Sequence, residues 1–198
     1  MNSPKPISPK KLVIFASGSG TNAENIIKYF NNSGTAEVIA VLSNNKGAKV
    51  LKRAYDLGVK ALHFDRDAFY NTQEVNHVLK DMKPDLIILA GFLWLFPEHI
   101  LKSFPDKVIN LHPALLPKFG GKGMYGEAVH KAVLEHKEKE TGITIHYVNP
   151  KYDEGNIIFQ DSFEVNPGMT HLDIAKKIHE LEYRHLPVII ENLLKSQV

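Results

Sequence analysis

Three groups of residues carry side chains and spacings that could do chemistry. Asn110 and His112 stand two apart just before Pro113, Asp153 sits in the turn-rich stretch NPKYDEG, and Ser17 to Asn22 read SGSGTN. An imidazole titrates near neutral pH, and an amide can donate to an oxygen that gains negative charge during a reaction. A carboxylate beside an imidazole favours its charged form. Each residue also has a plain structural reading: a strand-end histidine bonded to its own turn, and a solvated acid in an Asx turn. Gly18 and Gly20 let the backbone approach an anion, and a helix that starts directly after them offers free N–H groups. A phosphate is the natural guest, and a ligand-free strand-to-helix turn is the alternative. Gly18, Gly20 and Ala23 also satisfy G-x-G-x-x-A. The acid that a dinucleotide site needs about 20 residues later is missing, because the chain there reads Ser43, Asn44, Asn45, Lys46. That favours a phosphate monoester over NAD. No Gly-Lys-Ser/Thr, G-x-S-x-G or H-E-x-x-H occurs, and no metal is expected.

These residues need a frame. Four short, β-branched runs, LVIFA from Leu12, VIAVL from Val38, LIILA from Leu86 and VINL from Val108, read as strands covered on both faces. Helical stretches lie between them. Thr21 with Glu24 reads as a capping box, Asn71 with Glu74 as a looser one, and Gly58 as a helix C-cap. Alternating strands and helices imply an α/β fold: a doubly wound, mostly parallel twisted sheet flanked by helices. Ligands of such sheets sit beyond the carboxyl ends of the strands where strand order reverses. With the first run beside the fourth, that crevice gathers Ser17–Asn22, Gly91–Phe96 and Asn110–Pro113. The segment GFLWLF, with Leu93, Trp94, Leu95 and Phe96, is either core or the wall of a pocket for a flat ring. After residue 112 a Gly-rich loop, FGGKGMYG, leads into a helix whose solvated end is the KEKE run, Lys137 to Glu140. ITIHYV and IIFQDSFEV then form an antiparallel pair near the C-terminal half. A last helix starts at Thr170 with a Thr-x-x-Asp cap, and Pro187 should kink or restart it.

The chain has 198 residues, 43% hydrophobic and 23% charged, which fits one globular domain of 11–198 behind a flexible tail of 1–10. Lys plus Arg exceed Asp plus Glu by two, without a basic stripe, so neither nucleic acid nor an anionic membrane is an expected partner. Zero cysteines exclude disulfides, thiolate metal sites and a cysteine nucleophile. No apolar run approaches the ~20 residues of a membrane span, and MNSPKPISPK lacks the apolar core of a secretory signal, so a cytoplasmic protein is expected.

SGSGTN, LAGFLWLFP, INLHPALLPKF, TGITIHYV and YDEGNIIFQ, in this order, resemble the phosphoribosylglycinamide formyltransferases, a branch of the folate-dependent formyltransferase superfamily. The likeness spans roughly Leu12 to Ile190. It implies transfer of the formyl group of 10-formyltetrahydrofolate to the amine of 5-phosphoribosylglycinamide, in purine synthesis, by a monomer or homodimer that acts on small molecules. It implies Asn110, His112 and Asp153 as the catalytic trio, with Asp153 expected to keep His112 protonated. Gly20, Thr21, Asn22 and Glu182 would hold the phosphate and ribose. Arg66, Leu93, Trp94, Leu95, Phe96, Asn110 and Tyr152 would meet the folate, the loop contributing backbone groups and Arg66 the folate tail. At 198 residues the chain has no room for the extra domains of the methionyl-tRNA and deformylase branches. One stretch departs from the family pattern. Gly120 to His130 is longer than its usual G-x-H-x-H form, with His130 matching the second histidine and nothing matching the first.

Overall fold

The computed structural model describes residues 9–196. In chain order the elements are β1 (Lys10–Phe15), α1 (Thr21–Ser33), β2 (Ala36–Ser43), α2 (Lys49–Asp56), β3 (Lys60–His63), α3 (Arg66–Tyr70), α4 (Glu74–Met82) and β4 (Leu86–Ala90). They continue with α5 (Glu98–Ser103), β5 (Val108–His112), α6 (Glu127–Glu135), β6 (Glu140–Tyr147), β7 (Ile157–Glu164) and α7 (His171–Ser196). The strands form one seven-stranded sheet in the order β3-β2-β1-β4-β5-β6-β7. β1 to β5 pair in parallel, while β5 with β6 and β6 with β7 pair antiparallel. Successive side chains of a strand point to opposite faces, so Leu12 and Ile14 join one apolar cluster while Val13 and Phe15 join the other. This two-sided burial is why the four runs lack polar residues. The first eight residues of the expected tail lie outside the described residues, and β1 begins at Lys10.

Several local expectations need correction. β1 neighbours β4, the third run, and β5 lies one strand further out. The three expected loops still meet, because β4 ends between the other two. β3 carries no apolar run, since it is a four-residue edge strand with no buried residue. Thr21 does not cap α1: the helix starts at Thr21 itself, after Gly20 at φ 75°, and the Glu24 carboxylate goes to Lys28 and Arg53. Asn71 ends α3 rather than starting α4, with its amide on Asp67 Oδ1 at 2.8 Å. α6 stops at Glu135, Lys137 turns the chain at φ 52°, and Glu140 already belongs to β6.

The C-terminal helix starts as expected. Thr170 Oγ1 accepts from the Asp173 N–H at 3.2 Å, and the Asp173 carboxylate accepts from the Thr170 N–H at 2.8 Å. Pro187 neither ends nor restarts α7, which runs through it for 26 residues. The carbonyl that a proline leaves without its helical donor is four residues back, at Tyr183. Here it accepts from Asn25 Nδ2 of α1 at 3.0 Å, so the interruption becomes a bond between helices. Thr170→Ala removes the reciprocal cap and is expected to cost about 1 kcal/mol of unfolding free energy in urea melts; an unchanged midpoint would show that the cap contributes nothing.

Candidate active site

The loops after β1, β4 and β5 wall a cleft of about 670 Å³, closed on the other side by Gly121–Glu127, the start of α7 and the turn that carries Asp153. Ser17 ties the strand ends together. Its N–H donates to Gly91 O at 2.9 Å, its hydroxyl donates to Asn44 Oδ1 at 2.7 Å and accepts from the Leu93 N–H at 3.0 Å. Asn110 and His112, two apart on β5, present side chains to the same face. Asp153 arrives from the connection between β6 and β7. That connection is closed by the Tyr147 N–H on Asn156 O at 2.9 Å, the Val148 N–H on Val108 O at 2.9 Å and an Asx turn from Asn149 to Lys151. Gly155 lies so close to the Tyr147 carbonyl that a Cβ there would overlap it.

The Asp153 carboxylate accepts from the Gly121 N–H at 2.9 Å and from Asn110 Nδ2 at 3.3 Å. Its oxygens lie 3.6 Å from His112 Nδ1 and 3.6 Å from His146 Nε2. Burial works to raise this carboxyl, but the neighbouring His146 and His112 rings and the Gly121 N–H outweigh it and hold it below the ordinary value. His112 is only 3% exposed, and burial pushes its imidazole below the ordinary value against the opposing pull of Asp153 and the Phe119 carbonyl. The expectation that Asp153 keeps His112 protonated is thereby corrected: at neutral pH desolvation wins and the ring rests neutral. A carbonyl only accepts, so His112 Nε2 carries the proton it donates to Phe119 O at 2.8 Å, and the Nδ1 lone pair faces Asp153.

Sequence reasoning missed His146. It pairs with Asn110 across the β5–β6 ladder, donates from Nδ1 to its neighbour Tyr147 O at 2.8 Å, and so offers Nε2 to Asn110 Nδ2 at 3.0 Å. The available signal was a histidine buried among the apolar residues of ITIHYV, but its role depends on a register that composition does not reveal.

At the other end of the cleft lie Gly20, Thr21, Asn22 and Glu182. Glu182, 5% exposed on α7, accepts from Asn22 Nδ2 at 2.9 Å and from His179 Nδ1 at 2.8 Å, and that second bond raises the His179 imidazole. None of the N–H groups from Gly18 to Ala23 has a hydrogen-bond partner among the described residues, so this end of the cleft offers donors. The GFLWLF segment is split. Leu93 borders the cleft, whereas Trp94, Leu95 and Phe96 border a smaller adjoining cavity of about 50 Å³ that shares Asn110, Tyr152 and Asp153 with it. The Leu95 carbonyl already accepts from Tyr70 Oη at 2.8 Å, and Phe96, 2% exposed, packs its ring against Phe15 in the core. Arg66 borders neither cavity. Its guanidinium lies over Tyr70 and Trp94, 5.0 and 5.5 Å from the ring centroids.

Residues 10–190 match the family model described as formyl transferase. The chain is 34% identical over 190 residues to phosphoribosylglycinamide formyltransferase of Bacillus subtilis, covering 93% of this chain and 95% of that one. It is 36% identical over 195 residues to the chloroplastic phosphoribosylglycinamide formyltransferase of Arabidopsis thaliana, covering 96% of this chain and 67% of that one. Glycinamide ribonucleotide transformylase 1 from Symbiobacterium toebii superposes with a TM-score of 0.88 at 33% identity, over 99% of this chain and 92% of that one.

A histidine whose folded pKa is depressed takes its proton more readily in the unfolded chain. The stability that His112 supplies is therefore complete above 6.5 and lost as pH falls from there through its lowered folded value. Urea melts of His112→Asn should show a shallower decline below pH 6.5 than wild type; parallel declines would show that His112 is not held neutral.

Proposed function

The chain belongs to the formyl transferase family, and we propose that it transfers the formyl group of 10-formyltetrahydrofolate to the amine of 5-phosphoribosylglycinamide, a step of purine synthesis, with residues 11–198 as one catalytic domain. The observation that carries this reading is the Asp153–Asn110–His112 cluster on the wall between a donor-lined end and an aromatic-lined cavity. The free N–H groups after Gly18 suit the phosphate, and Glu182 suits ribose hydroxyls. Leu93, Trp94, Leu95, Phe96 and Tyr152 flank the side assigned to the pterin, with Arg66 beyond them toward the folate tail.

Attack of the amine on the formyl carbon forms a C–N bond and places the carbonyl electrons on oxygen. Asn110 Nδ2 donates to that oxyanion, exchanging its long 3.3 Å bond to Asp153 for a charged acceptor while His146 keeps the amide in place. The new ammonium must lose a proton and the folate nitrogen must gain one. His112, neutral at rest with Nδ1 free, accepts that proton; Asp153 stabilises the imidazolium, and the proton passes to the folate nitrogen as its bond to carbon breaks.

Purified protein given both substrates should release tetrahydrofolate only when the amine substrate is present. Release without it would mean a deformylase, and no release would end the reading. His112→Ala and Asp153→Asn should each lower kcat about 100- to 1,000-fold while ribose 5-phosphate still binds. Wild-type turnover in either variant would remove that residue from the mechanism.

A further inference from the structure

Arg53 lies on α2, outside the cleft, yet it touches the loop that offers the free N–H groups. Its Nε donates to the Ser19 carbonyl at 2.9 Å, and its Nη1 pairs with the Glu24 carboxylate, which Lys28 Nζ also meets at 2.6 Å. The neighbouring carbonyls are held in the same way: the Val50 N–H donates to Gly18 O at 3.1 Å and the Glu24 N–H to Gly20 O at 2.9 Å.

A trans peptide is planar, so the carbonyl of one residue and the N–H of the next point in opposite directions. Fixing the Gly18, Ser19 and Gly20 carbonyls therefore fixes the Ser19, Gly20 and Thr21 N–H groups, which are among those without partners. Two of the three anchors are backbone amides of helices and no side-chain substitution removes them. The third is Arg53. The peptide it holds is also the one most prone to rotate, because Gly20 at φ 75° has no side chain to resist a change of its φ. A rotated Ser19–Gly20 peptide would turn a carbonyl dipole toward the anion in place of an N–H. α2 seats the loop closely as well, since a Cβ on Gly20 would overlap Val50.

We propose that Arg53 is a positioning residue of the sugar-phosphate subsite: by binding the Ser19 carbonyl, with Glu24 orienting its guanidinium, it aims the Gly20 N–H into the cleft without touching substrate. This rests on the formyl-transfer reading for the identity of the substrate, but the loop mechanism applies to any phosphate monoester bound there.

The test compares wild type, Arg53→Met and Arg53→Lys by titration with ribose 5-phosphate and by steady-state kinetics. Arg53→Met should weaken ribose 5-phosphate binding and raise KM for the sugar-phosphate substrate by roughly ten- to hundredfold, the range expected for losing a charge-assisted hydrogen bond. Its kcat and its KM for the folate should stay within about threefold of wild type. Arg53→Lys, which keeps the charge and one donor, should recover part of the loss. A merely structural role would lower kcat and leave ribose 5-phosphate affinity unchanged; that result, or no ribose 5-phosphate binding by wild type, overturns the proposal. If Arg53→Met does not fold, Glu24→Gln replaces it with the same expected KM-specific rise, and an unchanged KM is equally fatal. Wild type that binds ribose 5-phosphate normally but transfers no formyl group would refute the functional reading and leave the role of Arg53 intact.

Discussion

The site depends on one convergence: the carboxylate of Asp153 must lie beside the end of β5, although 41 positions of sequence, including α6 and β6, separate it from His112. The closed connection after β6 makes this possible. The Val148 N–H reaches back to the carbonyl of Val108 at 2.9 Å, and Gly155 packs against the Tyr147 carbonyl where no side chain fits. Asp153 itself adopts φ 55°, a conformation in which aspartate is among the better tolerated non-glycine residues. The Gly121 N–H then fastens the carboxylate to the glycine-rich loop, so the acid links three segments.

Burial determines how this cluster behaves. Removing His112 from water favours its neutral form more than Asp153 favours the cation, leaving a base where the proposed relay needs one. The carboxyl is held below its ordinary value, and the Gly121 N–H and the Asn110 amide donate to it. The far end of the cleft works differently. There the proposed anion would meet aimed backbone dipoles, with the Glu182 carboxylate tied to Asn22 and His179 beside them. The two ends are connected through Ser17, whose backbone and hydroxyl join the phosphate-side loop to Gly91 and Leu93.

The fold was legible where burial constrains composition. Residues covered on both faces must be apolar, and the four runs of the first 112 residues are all strands. β3 was illegible because an edge strand faces water, and the order of β4 and β5 because a run of valines and isoleucines does not encode its neighbour. The Thr-x-x-Glu signal at Thr21 failed for a specific reason: Arg53 and Lys28 claim the Glu24 carboxylate, and Gly20 makes the turn. At the site, Asn110, His112 and Asp153 were found by residue type and family likeness. His146 and Arg53 were not, since each reaches the site through a contact that only strand register or helix docking supplies.

A double-mutant cycle on kcat/KM for formyl transfer decides whether His112 and Asp153 work as one unit. If they do, His112→Ala/Asp153→Asn will be no worse than the weaker single variant, because either change alone already disables the relay. Losses that multiply, so that the double variant shows the product of the two single defects, would mean that the residues act independently and that their proximity in the cleft is not the basis of catalysis.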